Sequence, residues 1–294
     1  LKTINTRKYI AYSNAKINIG LRILSKRKDG YHNIETIFFP VKINDKIELL
    51  IKRESENTIS NDIKLKTNKK ALSKDNLCIN AAKIFFEKFK INEKYKILIK
   101  LEKKIPIGAG LGGGSSNAAE ILKILYKHFS GDENFLNDKR LFNAALILGS
   151  DVPFFLINKP VYATSRGEKM KILKNFRIRN KILIVNPNIN ISTKEAYNAI
   201  NLIKPKKRVL QRIQKYVDIF QNDTVNDFEE YVFNKEPIIK GIKERMKELG
   251  AVFTQMSGSG STVYGIFNNT DIIKAFNYFT KQKYKNKKFN VFIS

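Results

Sequence analysis

The stretch KKIPIGAGLGGGSSNAAEILKIL, Lys103 to Leu125, places five glycines among the seven residues Gly108–Gly114 and then turns into an apolar, helix-forming run. The segment leading into it, KYKILIKLEKKIP, has the apolar and charged alternation of a strand. Beyond it, Ala118, Ile121, Leu122, Leu125 and Phe129 fall on one helical face. Asn117 followed by Glu120 has the form of a capping box, which predicts a helix starting where the glycines end. Strand, bare loop and helix N-terminus in succession make an anion site, because unhindered amides and the positive end of the helix dipole meet at one spot. Phosphate is the natural occupant. A flexible linker fits less well, since Ser115, Ser116 and Asn117 crowd the helix entry and apolar elements flank the loop.

The surrounding residues exclude three common phosphate sites. A Walker A loop requires a lysine followed by Ser or Thr after its last glycine, and none is present. Gly108, Gly110 and Gly113 do satisfy G-x-G-x-x-G, but a dinucleotide fold needs a second buried strand ending in an acid about 20 residues on. That region reads SGDENFLNDKR, which is polar and has no strand pattern. Protein kinases carry H-R-D and D-F-G, and this chain has neither.

Upstream, AKINIGLRIL and IETIFFPVKINDKIELLI read as strands joined by the turn KRKDGYHN. The polar stretch that follows, up to Asn76, reads as loop with one short strand, and NLCINAAKIFFEKF as a helix with Leu77, Ala81, Ile84, Phe85 and Phe89 inward. A second half begins near Lys159. It contains the strand KILIVNP, the helix STKEAYNAI, and an amphipathic helix EPIIKGIKERMKELGA with Gly250 as its C-cap. The strands AVFTQM and TVYGIF then flank the turn SGSGS. This succession predicts an α+β protein of two domains, 1–158 and 159–294, which suits a chain of 294 residues with 43% hydrophobic content.

Lys and Arg number 55 against 27 acids, a formal charge of +28. The lysines are scattered among abundant Ile and Asn instead of forming one block, so compositional drift outweighs a nucleic-acid footprint, and a diffuse positive field also draws small phosphorylated ligands. Cys78 is the sole cysteine and reads as a small buried apolar residue; with only His32 and His128, no Cys/His metal cluster is expected. No apolar run reaches the ~20 residues a bilayer span requires, and no signal-peptide core is seen at the start. The expectation is a protein of a reducing, cytoplasmic compartment of bacterial type, with no membrane or nucleic-acid partner. Leu1 in place of Met points to a processed start, which leaves a plastid-type organelle open.

PIGAGLGGGSSNAA resembles the phosphate loop P-x-x-x-G-L-G-[GS]-[GS]-S-[AS]-x-A-A of the GHMP kinases, while AKINIGLRIL and MSGSGSTVYGIF resemble that superfamily's first and third motifs. The three occur in the right order from Ala15 to Phe267. The resemblance implies an N-terminal domain like domain 2 of ribosomal protein S5, a ferredoxin-like C-terminal domain, and phosphoryl transfer from ATP with Mg2+. AKIN, KDGYHNIETIF and GSDVPFFL further resemble the branch of isoprenoid-pathway kinases acting on a hydroxyl of a small molecule that carries cytidine diphosphate.

Roles follow from that resemblance. Phosphoryl transfer needs an acceptor hydroxyl in line, its proton removed and the charge on the γ-phosphoryl oxygens balanced. Asp151 is the implied base and Lys16 its partner at the acceptor oxygen, with Asn18 close by. Read without the family, Asp151 is a turn or N-cap aspartate and Lys16 one lysine among many, although its apolar strand setting is unusual. The loop residues Gly108, Gly110, Leu111, Gly112, Gly113, Gly114, Ser115 and Ser116 are implied to hold ATP phosphates, and Asn76, Lys103 and Lys104 to lie at the nucleotide. Tyr31 and Tyr197 are implied to stack on cytosine, with His32 reading its edge and Thr193 touching substrate; in each case a surface turn or core tyrosine is the plain alternative. The Mg2+ ligands are not identified, Ser115 being the one hydroxyl singled out. Arg166 stands where a small or apolar residue is the more usual choice. A GHMP kinase acting on another small alcohol and an RNA-binding protein related to the N-terminal half remain as rival readings. A monomer or weak homodimer is expected.

Overall fold

The computed structural model describes residues 6–55, 60–69, 76–200, 206–213, 215, 224–268 and 270–294. The polar stretch before Asn76 therefore lies in part outside the described residues. The chain forms two compact units that are not consecutive in sequence: Leu1–Asn14, Asn44–Ile105 and Gly113–Asn158 make one, and Ala15–Ile43, Pro106–Gly112 and Lys159–Ser294 the other. Ala15–Ile43 and the glycine-loop residues Pro106–Gly112 belong with the later part of the chain.

In the first unit, the second half of β2 (His32–Arg53) pairs antiparallel with β4 (Tyr95–Glu102), and β3 (Asp62–Thr67) runs parallel to β4. Ile47, Leu49 and Ile51 on β2 and Ile97, Ile99 and Leu101 on β4 are buried, the two-residue period of a strand with one face on a core. Among the described residues of this unit are the helices α1 (Leu77–Phe89), α2 (Gly113–Ser130), α3 (Lys139–Leu148) and α4 (Val152–Ile157). The inward stripe of α1 is turned from the predicted one: Cys78, Ala82 and Phe86 join Ala81 and Phe85 in the core, and Leu77 and Ile84 are only half-buried. The small residues Ala81 and Ala82 let α1 lie close to α2. Asp138 caps α3 by accepting from the Arg140 N–H at 2.8 Å, a start signal hidden inside the polar run SGDENFLNDKR.

In the second unit, β1 (Arg7–Lys26) and β2 are partners, and β2 residues Ile34–Phe38 pair antiparallel with β5 (Val161–Ser165), which pairs with β6 (Lys169–Ile172). The early residues of β1 belong to the other unit. A four-stranded antiparallel sheet follows, built from β7 (Lys181–Asn186), β8 (Ala251–Met256), β9 (Val263–Phe267) and, after the short β10–β11 hairpin (Lys283–Tyr284, Lys287–Lys288), β12 (Asn290–Ile293). Its spatial order is β12-β7-β9-β8. The helices α5 (Thr193–Ala199), α6 (Glu229–Lys235) and α7 (Pro237–Glu248) lie between β7 and β8, and α8 (Asp271–Thr280) between β9 and β12. This is the expected ferredoxin-like β-α-β-β-α-β pattern. Leu183, Val185, Ile239, Ile242, Met246, Phe267, Ile272 and Phe279 fill its core. Leu249 caps α7, and Gly250 takes the following left-handed position at φ +95°, one residue later than predicted.

Candidate active site

The glycine loop is fixed by its carbonyls. The Ala109 carbonyl accepts from the Thr262 N–H at 3.4 Å, the Gly110 carbonyl from Ser257 Oγ at 2.9 Å, and the Leu111 carbonyl from the Lys16 N–H at 3.0 Å. Three successive peptide groups are thus held by the AKIN strand, the SGSGS turn and Thr262 directly after it. Holding the oxygens also fixes where the amides point, which is what an anion cradle requires. Gly110 sits at φ +75°, and a Cβ on it would stand 2.1 Å from the Ser257 carbonyl oxygen, so only glycine allows this approach.

The AKIN strand contributes two buried polar side chains beside that contact. Lys16 donates from Nζ to Asn18 Oδ1 at 2.6 Å and lies 4.7 Å from the centroid of the Phe38 ring. Asn18 donates from Nδ2 to Thr36 Oγ1 at 2.9 Å, its N–H donates to Ser257 Oγ at 3.2 Å, and its carbonyl accepts from Tyr264 Oη at 3.0 Å. Gln255 and Asn226 complete the framework: Gln255 Oε1 accepts from the Gly20 N–H at 2.6 Å, and Asn226 Nδ2 donates to the Met256 and Gly258 carbonyls. Neither was singled out in the sequence. Thr193, the first residue of α5, shares a 2.8 Å hydrogen bond between its Oγ1 and Ser259 Oγ, so it too stands at the SGSGS turn.

Helix α2 begins at Gly113, inside the glycine run, and Asn117 is not its cap but a buried residue of its second turn. The capping-box reading is corrected: Asn117 Nδ2 donates to Ser13 Oγ (2.6 Å) and Asp45 Oδ2 (2.9 Å), and its Oδ1 accepts from Lys103 Nζ (3.0 Å). Lys103 in turn forms a buried ion pair with Asp45, so its ammonium faces inward instead of towards a ligand. The Lys104 side chain is exposed, with its Nζ 3.9 Å from Glu102. Asn76 is the N-cap of α1, its Oδ1 accepting from the Cys78 N–H at 2.8 Å. Ser116 is buried, Ser115 half-buried and Gly114 exposed at the start of α2. Asp151 stands at the N-cap position of α4 with its side chain making no capping bond to that helix.

At the other motif, the turn between β1 and β2 is closed by the Arg27 N–H donating to the Tyr31 carbonyl at 2.8 Å. Arg27 also grips Asp29 through Nε and Nη2, and this hydrogen bond holds the Asp29 carboxyl below its ordinary range. Tyr31 is 52% exposed, and the Arg166 guanidinium stacks over its ring at 4.5 Å. His32 stacks on Tyr197 with centroids 4.8 Å apart and planes 17° apart, and Tyr197 meets Phe228 edge-on. Rings that close fill each other's face, so no base fits between His32 and Tyr197. Burial, with help from the Lys26 charge, lowers the His32 pKa from its usual 6.5, which keeps the imidazole neutral at pH 7. Glu168 is pushed up by burial, but hydrogen bonds from Ser165 and the backbone and the charge of Arg166 outweigh that and hold it low. Glu35, wholly buried, accepts from Tyr162 Oη (3.0 Å) and the Val209 N–H (2.7 Å), and burial beside it raises the Tyr162 pKa.

Cys78 is buried and its thiol is pushed up to about 12 by desolvation, an inert packing residue as expected. Among the described residues there is no group of three or more His, Cys, Asp or Glu placed to hold a metal, and no helix long and apolar enough to cross a membrane.

The models of the GHMP kinase N-terminal and C-terminal domains match residues 76–159 and 200–286. Among known proteins, the 4-diphosphocytidyl-2-C-methyl-D-erythritol kinase of Cytophaga hutchinsonii is 39% identical over 260 residues, covering 88% of this chain and 92% of its own. That of Porphyromonas gingivalis is 39% identical over 261 residues, with the same shares. A crystal structure of 4-(cytidine 5'-diphospho)-2C-methyl-D-erythritol kinase superposes with a TM-score of 0.75 at 27% identity, covering 97% of this chain and 98% of that one. Mevalonate kinase of Methanococcus jannaschii shares the fold, with a TM-score of 0.67 at 18% identity over 98% of each chain. The matched domains, the relatives at this identity and the convergence of the three motifs lead to one conclusion: the chain belongs to the GHMP kinase family.

Proposed function

We propose that this chain transfers the γ-phosphate of ATP to the 2-hydroxyl of 4-diphosphocytidyl-2-C-methyl-D-erythritol, a step of non-mevalonate isoprenoid precursor synthesis. The observation that carries the kinase reading is the glycine loop, whose carbonyls at Ala109, Gly110 and Leu111 are bound by the other two motifs. The substrate follows from the names of the relatives at 39% identity, together with the neutral His32 and half-exposed Tyr31. Neither rival, a kinase of another small alcohol or an RNA-binding protein, accounts for all of these.

In this reading the amides of Gly108, Gly110, Leu111, Gly112, Gly113 and Gly114 and the hydroxyls of Ser115 and Ser116 receive the ATP phosphates, with the dipole of α2 behind them. Asn76 and Lys104 lie towards the nucleoside, and Lys103 acts from within through its ion pair with Asp45. Asp151 takes the proton of the acceptor hydroxyl. Lys16, steadied by Asn18, balances charge at the oxygen as it attacks. Tyr31 offers its ring to the cytosine, His32 reads the base edge with Tyr197 behind it, and Thr193 borders the substrate.

Mg2+ favours oxygen ligands and keeps several waters, taking one or two protein oxygens and the nucleotide phosphates. Ser115 is a hard oxygen donor of that kind, and the ion would supply charge neutralisation of the β- and γ-phosphates when bound. We assign the glycine loop, Lys16 and Asp151 to phosphate binding and catalysis and Tyr31, His32, Thr193 and Tyr197 to the substrate side, in a monomer or weak homodimer of the bacterial cytoplasm with no nucleic-acid partner.

The test is ADP release with ATP and the cytidine diphosphate methylerythritol substrate, with mevalonate and homoserine as controls. Turnover with the cytidine substrate alone is expected, and faster turnover with either control would replace the reading. Asp151→Asn should lower kcat by about 10² to 10⁴, the usual worth of a positioned base, while nucleotide binding stays near wild type. Undiminished turnover would remove Asp151 from the mechanism.

A further inference from the structure

Asp45 is fully buried, yet it lies in VKINDKIELL, a stretch with no visible link to the glycine loop. Its Oδ1 accepts from the N–H groups of Lys104 (2.7 Å) and Ile105 (2.9 Å), the residues just before the loop. Its Oδ2 accepts from Asn117 Nδ2 at 2.9 Å, in the second turn of the helix just after the loop. Lys103 neutralises this oxygen and donates at 3.0 Å to Asn117 Oδ1, closing a ring of three side chains, and Ser13 takes the remaining Asn117 proton. Gly113 belongs to the same packing: a Cβ there would stand 2.8 Å from Ile105 Cγ2 and 3.1 Å from Lys103 Nζ. A single carboxylate therefore grips the segment entering the glycine loop, just past β4, and the helix leaving it.

A buried ion pair seldom stabilises a fold more than apolar residues of the same volume would, but it does fix one geometry. Four acceptances by one carboxylate leave neither stem of the loop free to rotate. We infer that Asp45, acting through Asn117 and Lys103, is a positioning residue for ATP, setting the distance and angle between the two stems so that the loop amides and the first turn of α2 converge on one phosphate. The inference rests on the proposal that this loop holds the ATP phosphates. It assigns Asp45 and Asn117 a specific effect on one of the two substrates, where a merely structural role would affect both alike.

Asn117→Leu tests it while leaving the Asp45–Lys103 pair and the entry-strand bonds in place. The KM for ATP should rise about 10-fold, the scale of one to two hydrogen bonds to a charged group, with the KM for the cytidine substrate within about 2-fold of wild type. Leu125→Ala, a core truncation in the same helix, supplies a matched loss of melting temperature and should leave both KM values near wild type. Should Asn117→Leu fail to fold, Ser13→Ala loosens the same amide by removing one of the two acceptors of its Nδ2, and a rise of roughly 2- to 3-fold in the KM for ATP alone is expected. Equal rises for both substrates, or an unchanged KM for ATP, overturn the inference. Gly112→Val separates the two levels. If it weakens ATP while Asn117→Leu does not, only the clamp is wrong; if neither weakens ATP, the phosphate reading of the loop falls first.

Discussion

The glycine loop and the Arg27–Tyr31 turn are both tight, glycine-bearing connections, and they are secured in opposite ways. Around the loop the bonds run to backbone: the carbonyls of Ala109, Gly110 and Leu111 are taken, and Asp45 holds the N–H groups of its entry strand. Around the turn the Arg27 N–H to Tyr31 carbonyl bond is supplemented by bonds between side chains, Arg27 to Asp29, Asn33 and Ser165, with Arg166 lying on the ring of Tyr31. Gly110 has the Ser257 carbonyl against it, whereas Gly30, also at positive φ, has nothing within 4 Å of where a Cβ would be. A phosphate is bound by many short bonds to fixed dipoles, so small errors in the backbone matter. A flat base meeting an aromatic ring tolerates side-chain adjustment, and the chain leaves that end half-exposed.

The comparison breaks first at those two glycines. Gly110→Ala meets both an unfavourable φ of +75° and a backbone oxygen at 2.1 Å. A cost of roughly 3 to 5 kcal/mol is expected from strain and overlap together, and ATP turnover should fall by at least about 100-fold. Gly30→Ala, at φ +83° in open space, should cost only about 1 to 2 kcal/mol from its handedness. Thermal melts and initial rates check both. Comparable losses at the two positions would mean that the approach of Gly110 to Ser257 carries no special weight.

Much of the first region was legible because its signal is local. Glycines in a row, a strand pattern before them and helical spacing after them can be read without knowing what lies across the fold, and the SGSGS turn and the AKIN strand stand out for the same reason. What failed was everything that depends on a partner far along the chain. Asp45 lies unremarked in a stretch that reads as strand, and Asn117 has the local form of a cap; only their meeting with Lys103 makes them a buried cluster. Gln255 and Asn226 read as ordinary polar residues, yet they hold backbone groups of β1 and of the SGSGS turn. The same limit applies at the aromatic end. Tyr31, His32 and Tyr197 were all identified, but the pairing was not: His32 rests on Tyr197, and Arg166 covers a face of Tyr31. Period-based reasoning finds which face of an element is buried and gives no information on which side chain meets which.

The second region makes a milder prediction. If cytosine lies against the Tyr31 ring, Tyr31→Ala should raise the KM for the cytidine substrate about 10-fold, within the roughly 1 to 3 kcal/mol of a base stacked on an aromatic ring. Tyr31→Phe should change it little, because the aromatic ring on which Arg166 and the base stack is kept. The KM for ATP should stay near wild type in both variants. A Tyr31→Ala enzyme whose ATP affinity falls instead would make the turn a structural feature of the nucleotide end.

The smallest effect expected is the most specific, and it concerns His32. A neutral imidazole offers one donor and one acceptor, whereas a protonated one offers two donors. Cytosine and uracil differ at the ring edge by that kind of exchange, so a neutral His32 can favour one over the other. His32→Ala should therefore relax the preference for cytidine over uridine substrate by roughly 2- to 10-fold, the worth of one hydrogen bond at a partly exposed site. The pH dependence gives a second readout on the unmodified enzyme. Burial and Lys26 lower the pKa of His32 beneath 6.5, so the imidazole keeps its neutral form at a pH where an ordinary histidine is half charged. The KM for the cytidine substrate should then rise with acid about a midpoint below the usual histidine value of about 6.5, and in His32→Ala that rise should vanish. A rise centred above 6.5 in the wild-type enzyme would mean that binding needs a group other than neutral His32. An unchanged base preference in His32→Ala would leave the stacked pair with Tyr197 as packing alone, and the contrast between a rigid phosphate end and a base-reading aromatic end would lose its second half.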